Sequence, residues 1–217
     1  MSKVREYEGR DILVRFDLKR CIHAEECVNG LPDVFDRAAR PWVKPDGATA
    51  DDIANVILRC PTGALKYERK DVGPSEPLPT VNTIAVEPDG PLYVNGQVAL
   101  MRSDGSPQLE DTRVALCRCG ASQNKPFCDG HHSDADFADS GQLGAITERS
   151  ADFESGGKLT ITPARNGPFL LQGAAEIKGS DGQISFHDSK AVLCRCGGSN
   201  KKPFCDGTHK KIGFTAD

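Results

Sequence analysis

The sequence predicts an α+β protein in which a small N-terminal module precedes two mostly β units. Three observations support this fold class. The C-terminal part of the chain repeats itself without a gap, at the 77-residue offset from Cys117 to Cys194. Short β-rich runs alternate with turn tripeptides inside each repeat. A proline-rich connector at residues 71–79 precedes the repeats. The predicted domains are residues 1–76 and 77–217, with repeats at about 81–140 and 158–217.

The composition favours metal ligation over a large hydrophobic core. The chain has 217 residues, 38% of them hydrophobic, and nine cysteines. Small modules that bury little apolar surface usually need a covalent or metal staple. Disulfides are the alternative, but the odd number of cysteines and the two C-x-C pairs argue against them.

Charge and hydropathy exclude two classes of partner. The N-terminus is polar, and no run of about 18 apolar residues occurs. We therefore expect a cytoplasmic protein without a membrane partner. The net charge of -4, with lysine and arginine scattered along the chain, gives no basic stripe for nucleic acid.

Two secondary-structure elements are predicted in the N-terminal module. Residues 12–16 alternate apolar and polar side chains, which predicts a half-buried strand. Residues 49–58 predict a helix that Thr49 caps, with acidic residues in its first turn. Ile53, Val56 and Ile57 would share its apolar face.

Three cysteines of this module are spaced as in a small ferredoxin. Cys21 and Cys27 form a C-x5-C pair, and Cys60 stands before a proline that prevents further helix beside a cluster. Together with Val34-Phe35-Asp36, Pro41-Trp42 and residues 60–65, the pattern resembles the divergent mono-cluster ferredoxin family over about residues 7–67. The resemblance implies a ferredoxin-like module with an iron-sulfur cluster held by Cys21, Cys27 and Cys60.

This module departs from the four-iron pattern at one position. Ala24 stands where a further cysteine is usual, three residues after the first. Three thiolates suit a [3Fe-4S] cluster, or a [4Fe-4S] cluster with a non-cysteine ligand. His23 is a candidate for that ligand, although it lies one residue short of the usual position. The alternative is that the module has lost its cluster and keeps three thiols.

Each repeat is predicted to contain three strands that lead into a ligand loop. The first repeat has β-rich runs at residues 83–86, 92–94 and 113–116, and the second at 159–162, 169–171 and 190–193. The tripeptide S-D-G marks a hairpin-type turn in both. A short helix is predicted after Asp129-Gly130 and after Asp206-Gly207. Residues 138–157 are polar and rich in Gly and Ser, which predicts a flexible crossover.

Both repeats carry the same arrangement of three thiols and one imidazole, C-x-C-x8-C-x3-H. The longer pattern, C-x-C-x2-S-x3-P-F-C-D-G-x-H, resembles that of the CDGSH iron-sulfur (NEET) family. One departure is that His131 and Thr208 stand where the family commonly has serine. The resemblance implies one [2Fe-2S] cluster in each motif, with eight ligands in all. These are Cys117, Cys119, Cys128 and His132, then Cys194, Cys196, Cys205 and His209.

Two alternatives to this ligand set are open. His131 competes with His132 in the first motif, and the 77-residue offset to His209 favours His132. Zinc competes with iron, but zinc sites usually space their cysteines as C-x2-C.

Thiolates suit both ferrous and ferric iron, and replacing one of them by neutral imidazole raises the reduction potential of the cluster.

We expect an electron-transfer protein in which an internal pseudo-dimer of CDGSH units works with the N-terminal cluster. The chain would be a monomer, with an unidentified redox partner or cluster acceptor. The alternative is an iron-sulfur cluster-transfer or redox and pH-sensing protein, because imidazole protonates near neutral pH and can release a cluster. An enzyme is not expected, since we find no nucleophile-base pair and no nucleotide fingerprint in the sequence.

Overall fold

A computed structural model describes residues 4–143 and 156–217. The chain divides into two compact units, one extending to Pro77 and one running from Leu78 to Asp217. Most of the predicted crossover at residues 138–157 lies outside the described residues. Within the described ranges, no helix has both the length and the apolar character that a membrane span requires.

The N-terminal unit is a three-stranded antiparallel sheet with two helices. The strands are in the order β1-β2-β3. Their bounds are Arg5–Glu8 (β1), Ile12–Phe16 (β2) and Leu65–Arg69 (β3), and the helices are Glu26–Gly30 (α1) and Ala50–Leu58 (α2). The predicted strand at residues 12–16 is confirmed as β2. Strands β1 and β3 and helix α1 have no counterpart among the elements predicted from the sequence.

Helix α2 forms because its first turn is capped and one face is apolar. The Thr49 hydroxyl accepts a hydrogen bond from the Asp52 amide at 3.1 Å, which satisfies one of the free N–H groups of the first turn. Ile53, Val56 and Ile57 are buried in the core of this unit. The predicted helix and its cap are therefore confirmed.

The second unit is one six-stranded sheet made by both repeats. Its strands are Thr83–Val86 (β4), Leu92–Met101 (β5), Pro107–Leu116 (β6), Lys158–Pro163 (β7), Phe169–Lys178 (β8) and Ile184–Leu193 (β9). Within each repeat the three strands pair antiparallel, β4 with β5 and β5 with β6, then β7 with β8 and β8 with β9. The first strand of each repeat also pairs parallel with the middle strand of the other, β4 with β8 and β7 with β5. The two repeats therefore share one hydrophobic core.

The strands of each long hairpin extend well beyond the predicted runs. Both hairpins have a register shift at equivalent places, between Asn95 and Val98 and between Gln172 and Ala175. A bulge adds a residue to one strand and interrupts the alternation of apolar and polar side chains. The alternation of apolar and polar residues therefore stops at the position of each bulge, whereas the backbone pairing continues to Met101 and Lys178.

The predicted helix after the ligand loop is present in only one copy. Thr208–Lys211 forms the short helix α3. The prediction for the first copy was wrong, because residues 131–136 form hydrogen-bonded turns. Asp136 has a φ of +47°, and this left-handed conformation is incompatible with a continuing right-handed helix.

Candidate metal centres

Each CDGSH-type motif is a loop that returns to the strand from which it began. In the first motif the Cys117 amide donates to Pro126 O at 3.0 Å, and the Cys128 amide donates to Ala115 O at 2.9 Å. The second motif repeats both bonds, from Cys194 to Pro203 at 2.7 Å and from Cys205 to Val192 at 2.9 Å. These bonds bring the third cysteine of each motif back to the first.

A serine and an aspartate hold each loop from within. The Ser122 hydroxyl donates to Phe127 O at 2.7 Å, and a carboxylate oxygen of Asp129 accepts from the Gln123 amide at 2.7 Å. Ser199 and Asp206 make the equivalent bonds at 2.7 and 2.9 Å. The serine and aspartate of the motif therefore have structural roles that explain their fixed spacing from the cysteines.

The first motif places its four predicted ligands in two pairs. The sulfurs of Cys117 and Cys119 are 3.6 Å apart, and Cys128 Sγ is 3.4 Å from His132 Nδ1. The contact with Cys117 lowers the pKa of Cys119. The same contact, followed by burial, raises the pKa of Cys117. Burial raises the pKa of Cys128 to about 11.

The rival histidine of the first motif faces a carboxylate. His131 Nδ1 lies 3.0 Å from a carboxylate oxygen of Asp129, although the pair is not aligned as a hydrogen bond. The structure thus brings His132, and not His131, next to a motif thiol. Burial lowers the pKa of His132, and the charge of Arg118 adds to this shift. The neutral imidazole, which is the form that binds iron, is favoured.

The second motif brings its first two thiols together, and its histidine contacts a main-chain oxygen. The sulfurs of Cys194 and Cys196 are 3.9 Å apart, and the Gly207 amide lies 3.4 Å from Cys205 Sγ. His209 Nδ1 is 2.9 Å from the main-chain oxygen of Asn166. The predicted ligand His209 is therefore near the motif, but its Nδ1 contacts a carbonyl and not a thiol.

Sequence reasoning missed a buried arginine between the first two cysteines of each motif. Arg118 and Arg195 are both only 1% exposed. Arg118 is held by Gly90 O at 2.8 Å and by the Asp139 carboxylate at 2.5 Å, and its guanidinium lies 4.9 Å from the Phe137 ring centre. The signal was present in the sequence, because both copies read C-R-C.

The N-terminal cysteines line one small pocket. Cys21, Cys27 and Cys60 meet there beside Ala24. Burial raises the pKa of Cys21 and that of Cys27, the latter to about 11, and the charge of Cys60 raises both further. His23 instead lines an adjacent cleft of about 1020 Å³. Cys21 and Cys27 line this cleft as well, so His23 shares a cleft with two of the three cysteines but does not line the small pocket that all three share.

The donor sets fit iron-sulfur clusters by their chemistry. Thiolates are soft ligands, and main-chain amides point at two of the sulfurs, Ala121 N to Cys119 and Gly207 N to Cys205, both at 3.4 Å. Several of the thiols are stabilised in the protonated form, so binding of iron must displace their protons. In the part of the chain that the structure describes, no group of three or more His, Cys, Asp or Glu side chains is arranged to hold a single metal ion.

Comparison with known proteins identifies families in both units. The sequence profile of the divergent 4Fe-4S mono-cluster family matches residues 7–70, and that of the iron-binding zinc finger of CDGSH type matches residues 89–133 and 166–210. The uncharacterized protein YjdI of Escherichia coli K12 is 39% identical over 66 residues, which is 30% of this chain and 87% of YjdI. YjdI of Escherichia coli O157:H7 matches equally. No solved structure matches the chain. The chain therefore contains a domain of the divergent 4Fe-4S mono-cluster family, followed by a tandem of two iron-binding domains of CDGSH type.

Proposed function

We propose that this protein transfers electrons through three iron-sulfur clusters and is not an enzyme. Each CDGSH motif would hold one [2Fe-2S] cluster through three cysteines and one histidine. Cys21, Cys27 and Cys60 would hold a [3Fe-4S] or [4Fe-4S] cluster. The observation that carries the proposal is that cysteine thiols lie close together at three places: Cys21, Cys27 and Cys60 line one pocket, and the first two thiols of each CDGSH motif are 3.6 and 3.9 Å apart. The physiological partner would be a redox protein or a cluster acceptor.

The residues around each site have definable tasks in this function. When bound, the clusters supply one-electron carriers whose potentials depend on their ligands and on local charge. The amides of Ala121 and Gly207 stabilise negative charge on Cys119 and Cys205. Arg118 places a buried positive charge beside the first motif, and its pairing with Asp139 offsets that charge.

The strand pairing supports an internal pair of CDGSH units within one monomer. Each repeat contributes a first strand that pairs with the middle strand of the other repeat. Exchanging the two repeats turns one of these pairings into the other. An approximate two-fold relation between the repeats requires this equivalence. Such an exchange of strands makes each repeat dependent on the other for a complete sheet.

The test is a stepwise reductive titration of anaerobically purified protein, followed by EPR together with iron and sulfide analysis. We expect two signals from histidine-ligated [2Fe-2S] centres and one from a three-iron or four-iron centre. Loss of the third signal in Cys60→Ser, with the other two retained, would assign it to the N-terminal unit. If none of the clusters can be reduced within the physiological range, the electron-transfer function is wrong.

The second candidate function is cluster transfer or sensing, and the placement of His209 favours it. Its Nδ1 lies 2.9 Å from the main-chain oxygen of Asn166, which is an acceptor for a ring N–H. A histidine with this alternative partner can leave iron more easily than one beside a thiol. We would measure transfer of iron and sulfide to an apo-ferredoxin as a function of pH. Transfer that does not increase below about pH 6.5, the usual histidine pKa, would count against this function.

A further inference from the structure

The two CDGSH ligand loops contact each other through the glycines that follow their second cysteines. Gly120 has a φ of +83°, and a β-carbon on it would lie 2.7 Å from the main-chain oxygen of Cys196. Gly197 has a φ of +78°, and a β-carbon there would lie 2.9 Å from the carbonyl carbon of Cys119. The contact is reciprocal, and each glycine meets the peptide of a predicted ligand in the other motif.

One longer-range interaction also crosses between the motifs. Lys202 Nζ, from the second loop, lies 5.9 Å from the ring centre of Phe137, which follows the first loop. A displacement of one ligand loop therefore disturbs contacts of the other.

We propose that Gly120 and Gly197 are positioning residues that hold the two ligand loops in contact, so that a cluster in one motif stabilises the cluster in the other. The proposal rests on occupancy of both motifs by clusters, as proposed above. Binding of iron by Cys119 fixes the peptide that Gly197 touches, and binding by Cys196 fixes the peptide that Gly120 touches. Coupling of this kind must be equal in both directions.

The chain contains matched control positions for a test of these glycines. Gly105 and Gly182 are also equivalent in the two repeats and have φ values of +82° and +76°, but a β-carbon on either meets nothing within 4 Å. Alanine at any of these four positions carries the same left-handed backbone strain. Only at Gly120 and Gly197 does it also force the ligand loops apart.

The experiment follows loss of visible cluster absorbance and release of iron to a chelator from oxidised full-length protein. We expect Gly120→Ala and Gly197→Ala to lose both CDGSH clusters at least about fivefold faster than wild type, the lower end of the range for coupled sites. Gly105→Ala and Gly182→Ala should retain them nearly as wild type does. Equal rates in all four variants would overturn the proposal.

A second variant tests the coupling without changing either glycine. Cys128→Ser removes a ligand of the first motif, and the cluster of the second motif should then be lost at least about fivefold faster than in wild type. Cys205→Ser should have the converse effect on the first motif. A remaining cluster that is lost at the wild-type rate would overturn the proposal. Both measurements use oxidised protein, so they do not depend on whether the clusters accept electrons.

Discussion

The two CDGSH motifs have the same ligand spacing but different surroundings for their buried arginines. Arg118 pairs with the Asp139 carboxylate. At the equivalent position of the second repeat, 77 residues further on, stands Ala216, and Arg195 is held instead by the main-chain oxygens of Ala164 and Asp217. The duplicated unit therefore conserves the path of its loop while the charge beside it differs.

A second difference concerns the equivalent turns at Asp89 and Asn166. Asp89 and Asn166 are equivalent, and both have left-handed backbone angles, with φ of +49° and +52°. Asp89 N donates to Asp139 O, and Asn166 N donates to Ala216 O, so the same turn is built in both repeats. Only Asn166 has its carbonyl at a histidine, His209. A common scaffold thus presents its two histidines differently, and each difference can be tested by exchanging side chains.

The largest expected effect comes from removal of the charge that pairs with Arg118. The Arg118 side chain is fully buried, and Asp139 is 18% exposed. Removing one partner of a buried ion pair typically costs about 3–5 kcal/mol, because the other charge is left uncompensated. Asp139 is partly exposed, so we expect Asp139→Ala to lower the free energy of unfolding by about 3 kcal/mol. Chemical denaturation of the full chain measures this change.

The second repeat supplies the controls for this prediction. Asp139→Asn keeps the shape of the side chain and a carbonyl acceptor, so its loss of stability should be smaller than that of Asp139→Ala. Ala216→Asp gives Arg195 the partner that Arg118 has, and it should not destabilise the protein. If Asp139→Ala and Ala216→Asp change the free energy of unfolding equally, the carboxylate partner of Arg118 does not contribute to stability.

Sequence reasoning located structure best where a local chemical signal was complete. The capped helix at Thr49 was identified because its cap, acidic first turn and apolar face lie within ten consecutive residues. Strands β1 and β3 were missed because β1 is largely exposed and has no clear alternation, and β3 is ordered by pairing with β2.

The candidate sites show the same division. Ligand types and spacing are local, so the three groups of cysteines could be predicted from the sequence. The burial of Arg118 depends on Asp139 and Gly90, which are distant in sequence, and the close contact of Gly120 with Cys196 depends on the pairing of the repeats. Such contacts exist only once the sheet has formed, and no sequence pattern within one repeat predicts them.

An intermediate effect is expected in the acid sensitivity of the two motifs. Burial and Arg118 lower the pKa of His132, so this imidazole stays neutral, and able to bind iron, to a lower pH. His209 Nδ1 instead contacts the main-chain oxygen of Asn166. We expect the second motif to lose its cluster about one pH unit above the first, a difference of the size common among histidine sites in proteins.

Cysteine substitutions separate the two motifs in this measurement. His132→Cys leaves a predicted histidine ligand only in the second motif, and His209→Cys leaves one only in the first. The absorbance of His132→Cys protein should therefore bleach at the higher pH, and the double variant should resist bleaching near pH about 6, where histidine protonates. Coincident midpoints for the single variants would show that the Asn166 contact does not matter.

The smallest expected difference is in the reactivity of the second cysteine of each motif in iron-free protein. The contact with Cys117 lowers the pKa of Cys119, whereas burial raises the pKa of Cys196. The thiolate is the reactive form, and a lower pKa gives more of it at pH 7 but a weaker nucleophile, so we expect at least about threefold faster alkylation of Cys119. Iodoacetamide labelling with peptide mass spectrometry measures both rates. Cys117→Ala removes the hydrogen-bond partner and should abolish the difference, and a Cys119 that still reacts faster in that variant would assign the effect to exposure.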